Sequence, residues 1–282
     1  MRATKRDLSS IVKQNSIYQR LRISPIYDLY LALTKRRVIK ARGRELDFYR
    51  MTLDGFEPGG LIFDIGANVG DKVDVFLKMG ARVVAVDPDE GNQAILRDRF
   101  HRYRMTPRPV TIVGKAVGAK AGNEQMWVYG PGSLFNSLSE KSPGILDGTK
   151  KRSGHLLDAY QFKEKRIVAT TTLDQLIETY GLPAFIKIDV VGYELEVLQG
   201  LHCPVPCLSF EIEVKELRKE LIQCIEILGG LSSRGRFNYT CDRRNGLALD
   251  QWLDFGPFWR LIDGIDGCSE GCLEVFWKTL KG

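Results

Sequence analysis

Three aspartates end three short apolar runs: Asp64 in LIFDIG, Asp87 in VVAVDPD and Asp189 in FIKIDVVG. A carboxylate so placed can accept hydrogen bonds from ammonium or hydroxyl groups, or take a proton from a reacting hydroxyl. Glycines follow the first acid in DIGANVGD, residues 64–71. Gly66 and Gly70 let a backbone turn tightly and approach a ligand with no Cβ in the way. The G-x-x-x-G spacing puts Asn68 where a dinucleotide fingerprint has its second glycine, which argues against a nicotinamide cofactor. Asp64 suits the ammonium of an amino acid. Asp87 suits the two hydroxyls of a ribose. Together they describe an amino acid joined to a nucleoside, and S-adenosylmethionine fits that description. Asp189 is then the candidate general base for a hydroxyl acceptor, since methyl transfer otherwise needs chiefly alignment. The competing reading makes each acid a helix N-cap and each glycine a turn residue.

Positioning these acids requires strands that end side by side. LIFDIG (61–66), RVVAVDPD (82–89) and VTIVGKAVG (110–118) read as buried strands. Helical segments lie between them, over 71–79 and in GNQAILRDRF, and Gly80 is placed to close the first. This alternation predicts an α/β fold with a mostly parallel central sheet and helices on both faces. EQMWVYG and RIVATTTL add strands. Thr171 or Thr172 is placed to cap the helix TTLDQLIETYG. After AFIKIDVVG and PCLSFEIE, the segments NYTC and LEVFWKTL are expected to close the sheet antiparallel to its neighbours. The stretch between 130 and 165 is rich in Gly, Ser and Lys and reads as a long loop, the kind that often serves as a lid.

The net charge of +6 is unevenly spread. Residues 1–50 hold 13 Lys and Arg against 4 Asp and Glu, so the remainder is slightly acidic. Two segments are expected: a basic helical N-terminal extension over 1–50 and one domain over 51–282. The extension reads either as a solvated arm or as a contact to an acidic membrane surface. The near-neutral remainder argues against a nucleic-acid partner. All six cysteines follow residue 200, in spacings unlike those of zinc sites, and read as free thiols. With no apolar signal core at the N-terminus, a cytoplasmic location is expected. The three histidines are scattered, so no histidine metal site is expected.

LIFDIGANVGD, VVAVDPD, GKAVG, TTLDQLI, FIKIDVVGYELEVLQGL and SFEIE follow one another in an order that resembles the FkbM-type S-adenosylmethionine-dependent methyltransferases. The resemblance runs from about residue 45 to the C-terminus. It implies a Rossmann-like methyltransferase fold and methyl transfer to a hydroxyl of a sugar, glycan or other small metabolite. It places Asp64, Gly66, Ala67, Asn68 and Gly70 around the methionine part of the cofactor, Asp87 at the ribose, and Lys115 and Ala116 by the adenine. Asn136 and Ser137 resemble a loop at the mouth of the active site. Glu194 and Glu211 are secondary candidates for acceptor contact. The chain departs from the family pattern K-I-D-V-E-G-x-E at Val191, where a Glu is expected. That loss puts a two-carboxylate metal site in doubt and leaves divalent-metal dependence open. It also keeps a second reading alive, a catalytically weakened or non-catalytic cofactor-binding protein of the same fold.

Overall fold

The computed structural model describes residues 36–103, 109–128, 136–139, 164–265 and 272–280, with side chains from residue 43 onward. The greater part of the basic extension and of the 130–165 loop lies outside the described residues, as does His155.

Five parallel strands carry the site. They are β1 (Leu61–Ile65), β2 (Arg82–Val86), β3 (Val110–Val113), β7 (Phe185–Ile188) and β8 (Cys207–Glu213). With β9 (Gly235–Thr240) and β10 (Cys272–Thr279) they form a seven-stranded sheet in the order β3-β2-β1-β7-β8-β10-β9. β10 slots between β8 and β9 and runs antiparallel to both. This is the expected α/β arrangement, a Rossmann-like sheet with an antiparallel C-terminal strand. The order reverses at β1, because β1 pairs with β2 on one side and with β7 on the other. A crevice opens at such a reversal, at the carboxyl ends of the strands.

Strand alternation gives the sheet two faces. Phe63, Ile65, Ile186, Ile188, Phe210 and Val275 pack with α5 (Glu194–Gln199), α6 (Arg218–Leu231) and α7 (Phe255–Asp263). Ile62, Ala85, Phe185 and Phe276 pack with α1 (Arg36–Thr52), α2 (Asp71–Met79) and α3 (Glu90–Arg99). The last turns of α1 are anchored by aromatic contacts. Phe48 and Tyr49 are buried, and the Tyr49 ring meets Phe76 edge-on at 5.2 Å and Phe185 at 6.0 Å. Each such ring contributes roughly 1.5–3 kcal/mol through burial.

Several local signals act as read. Gly80 caps α2 in the left-handed conformation, and Thr172 caps α4 (Leu173–Tyr180) by accepting from the Gln175 N–H. One segment differs. VTIVGKAVG is not a single strand: it breaks at Gly114–Lys115, and β4 (Ala116–Val117) joins a second sheet, β4-β6-β5, with β5 (Gly122–Val128) and β6 (Glu164–Thr171). Gly114 packs directly on the Gln93 side chain, and from there the chain leaves the sheet edge. The expectation of six free thiols also fails at Cys241, which is disulfide-bonded, while Cys203, Cys207, Cys224 and Cys272 are free. Among the described residues, no helix is long and apolar enough to cross a membrane.

Candidate active site

The exits of β1 and β7 are joined at the crevice. The Asp189 N–H donates to the Ile65 carbonyl, and the Gly66 and Ala67 N–H groups both donate to the Val86 carbonyl. Gly66 has φ 82°, and a Cβ there would overlap the Asp189 carbonyl oxygen. Gly70 has φ 82° at the start of α2, where a Cβ would run into the Phe100 ring and Leu96. Both glycines are thus required by the packing of the chain. They clear space for the chain itself, and only Gly66 also lines the cleft.

Asp64 is 1% exposed, and its Oδ2 has no hydrogen-bond partner. Burial pushes its carboxyl up to about 7, although the Lys187 ammonium pulls the other way. It caps no helix. An orphaned buried carboxylate oxygen is expensive and marks a place where a donor belongs. Asp87 is buried but well supplied. Its Oδ2 accepts from the Asn68 N–H at 2.8 Å, and its Oδ1 accepts from the Asp89 N–H at 2.9 Å and from Asn92 Nδ2 at 3.1 Å. Burial still raises it to about 6. One lone pair on Oδ2 stays open to a hydroxyl. The cap of α3 is Asp89, a residue the sequence reading passed over. Its Oδ1 accepts from the Asn92 N–H, and its Oδ2 accepts from Asn136 Nδ2 at 2.9 Å. The D-x-x-N spacing of residues 89–92 was the available signal.

Asp189 lines the same cleft with its side chain 38% exposed, and its Oδ2 lies 3.7 Å from Lys187 Nζ. It does not cap the next helix, because α5 has Tyr193 at its N-cap with no side-chain hydrogen bond. The turn between them is strained. Val191 has φ 50°, a left-handed conformation that a β-branched residue rarely adopts. Ser137 Oγ donates to the Val191 carbonyl at 3.0 Å. Asn136 and Ser137 therefore bridge the cleft from Asp89 to Val191.

The two secondary acids are placed elsewhere. Glu194 is buried under its own turn, accepts from the Gly192 N–H at 3.0 Å, and is pushed by burial to about 7. Glu211 is engaged by Lys187 and Arg243. Neither is among the residues that line the cleft. Lys115 and Ala116 do line it, and Val117, Met126, Leu138 and Tyr193 give it an apolar wall. The space between these walls is about 740 Å³, part of it open to solvent. Among the described residues, no group of three or more His, Cys, Asp or Glu is arranged to hold a metal ion.

The cleft thus joins an apolar slot to a hydroxyl acceptor, Asp87, while the unpartnered oxygen of Asp64 is buried on β1 one residue before Ile65, which lines the cleft. The slot and Asp87 are the complements of an adenine and a ribose, so the lining fits the nucleoside part of S-adenosylmethionine.

Known proteins resemble this chain in sequence and in fold. Residues 64–218 match the model of the methyltransferase FkbM domain. The chain is 27% identical over 179 residues to the hexuronic acid methyltransferase AglP of Haloferax volcanii, a match that spans 62% of this chain and 64% of that protein. Among solved structures, the FkbM methyltransferase of Methylobacillus flagellatus overlaps 80% of this chain and 46% of its own, with a TM-score of 0.47 and 17% identity. The plantazolicin methyltransferase BpumL, solved with S-adenosylhomocysteine, overlaps 98% of this chain and 100% of its own, with a TM-score of 0.42 and 10% identity. The family match covers more than half of the chain and includes all three aspartates that end its strands, and on that ground the chain belongs to the FkbM methyltransferases.

Proposed function

We propose that this chain transfers the methyl group of S-adenosylmethionine to a hydroxyl of a sugar or glycan acceptor. The observation that carries the reading is the cleft in which Asp87 and Asp189 stand beside an apolar wall, with the unpartnered Asp64 oxygen buried on β1 one residue before the lining residue Ile65. When bound, the cofactor would supply an electrophilic methyl on a sulfonium. The rest falls to the chain. Asp64 would accept from the ammonium, Asp87 from a ribose hydroxyl, and the apolar wall of Val117, Met126, Leu138 and Tyr193 would hold the adenine. Asp189, exposed at the mouth, would take the proton of the acceptor hydroxyl as the new bond forms. The likeness to a hexuronic acid methyltransferase supports a sugar as acceptor.

Val191 favours a second reading, a cofactor-binding protein of weak or no turnover, because the resemblance implies a Glu at that position. The two readings share the cofactor and part at the acceptor. Calorimetric titration of S-adenosylmethionine into the wild type and an Asp87→Ala variant tests what they share. Binding is expected in the wild type and should weaken at least tenfold in the variant, as for loss of a hydrogen bond to a charged group. Absence of binding to folded wild type would sink both readings.

A further inference from the structure

A row of charges lies on the sheet face under α1 and α2, and the roles above leave most of it unused. Strand register places the row. Asp64 pairs with Lys187, Lys187 with Ser209, and Glu211 with Glu274. Residues paired across strands, or two apart along one, share a face. Lys187 is completely buried. Its Nζ stands 2.8 Å from Glu211 Oε1 and 3.7 Å from both Glu274 Oε1 and Asp189 Oδ2. Arg243 enters from the 3₁₀ turn Arg243–Asn245 after β9. It contacts Glu211, and its Nε donates to Glu274 Oε2 at 2.7 Å. Glu274 also accepts from Ser209 Oγ at 2.8 Å.

The balance of charge decides what Arg243 does. Without it, one buried ammonium would face three carboxylates, two of them away from the cleft. A cation so placed is drawn toward the anions that nothing else neutralises. Arg243 neutralises the two remote ones. Glu274 shows the effect: burial alone would raise its carboxyl, but Lys187 and Arg243 together hold it below its ordinary value. Lys187 stays nearest to Glu211, at 2.8 Å, and within 3.7 Å of Asp189, with Asp64 as its register neighbour, so the two acids feel the net charge of the whole row.

We propose that Arg243 is a positioning residue: by neutralising Glu211 and Glu274 it balances the charge of the row that Lys187 shares with Asp64 and Asp189, and so sets the potential at those two acids from outside the cleft. The benefit to cofactor binding and proton transfer rests on the proposed function; the coupling itself does not.

Other groups face these two acids. Lys72 on α2 and Asp87 act on Asp64, and Lys72 is paired with Glu45 of α1, which also lies 3.7 Å from Arg243 Nη1. Tyr49 donates to Glu274 at 3.4 Å. Glu194 and Cys272 feel Asp189 from the other side. None of them contacts Glu211 and Glu274 together as Arg243 does among the described residues.

Carbon-13 NMR of protein labelled at its aspartate carboxyl carbons tests the proposal without cofactor or acceptor. The Asp64 signal is identified by its loss in Asp64→Asn. In Arg243→Gln the row gains one net negative charge, and the Asp64 midpoint rises from about 7 by roughly one unit. Arg243→Lys keeps the charge and leaves the midpoint in place. Glu211→Gln removes a negative charge from the row and moves the midpoint down. That reversal of sign is something structural loosening would not produce, and this variant carries the test if Arg243→Gln does not fold. An unmoved midpoint in Arg243→Gln, an equal rise in Arg243→Lys or an upward shift in Glu211→Gln overturns the proposal. Failure of wild type to bind S-adenosylmethionine would instead remove the cofactor reading and leave this coupling standing.

Discussion

Replacing Asp64 with asparagine should stabilise the cofactor-free protein and weaken cofactor binding in the same variant. Asp64 is fully buried, and burial raises its carboxyl from an ordinary 3.8 to about 7. The folded state therefore holds the proton more tightly than the unfolded chain does. For an acid raised in this way, stability is fully present below about pH 4 and is lost as pH rises through about 7. At pH 8 the displacement of about three units corresponds to about 4 kcal/mol of destabilisation, an upper figure for a buried group. Asparagine removes the charge but brings an amide donor that needs a partner, which returns about 1–3 kcal/mol. The net gain of roughly 1–3 kcal/mol should raise Tm at pH 8 by about 5 °C for a domain of this size. At pH 5 most of the gain should vanish, because the wild-type carboxyl is by then protonated in the fold. Calorimetric titration should show S-adenosylmethionine bound about 10- to 100-fold more weakly by the variant, as for a lost charge-assisted hydrogen bond. Scanning calorimetry at the two pH values and the titration make up the assay. A variant less stable than wild type at pH 8, or one that binds the cofactor equally well, would refute the reasoning.

Asp189→Asn should leave cofactor affinity within about twofold of wild type and lower methyl transfer by 10²- to 10⁴-fold, the usual contribution of a general base; a variant that loses cofactor binding instead would assign Asp189 to binding. Val191→Gly should cost less than about 1 kcal/mol in denaturant unfolding, since relief of the left-handed strain at φ 50° offsets the lost side-chain contacts. A loss above about 2 kcal/mol would show that the Val191 side chain matters more than its backbone. Gly66→Ala should fail to fold or lose several kcal/mol, because its Cβ would overlap the Asp189 carbonyl; near-wild-type unfolding would mean the two strand exits can separate freely.

Much of this protein was decided within short stretches of chain. The apolar runs at 61–65, 82–86 and 185–188 have one good use, as strands buried on both faces, and each delivers an aspartate to the same edge of a parallel sheet. The cap at Thr172 and the left-handed glycine at Gly80 needed only their neighbours, since capping bonds close within one helical turn. That is why the fold class and a crevice lined by Asp87 and Asp189 were legible. The strand break at Gly114–Lys115 was not, because periodicity cannot tell one buried strand from two that enter different sheets. The fates of the remaining acids depended on register. Nothing local distinguishes Glu194, folded under its own turn, or Glu211, engaged by Arg243, from an acid that faces the cleft. The need for Gly66 comes from Asp189, far along the chain, and the row from Asp64 through Lys187 to Arg243 exists only because β1, β7, β8 and β10 stand side by side. Hydrophobic pattern and capping are properties of a segment. Charge balance in a buried cluster is a property of distances between segments, and those only the tertiary structure sets.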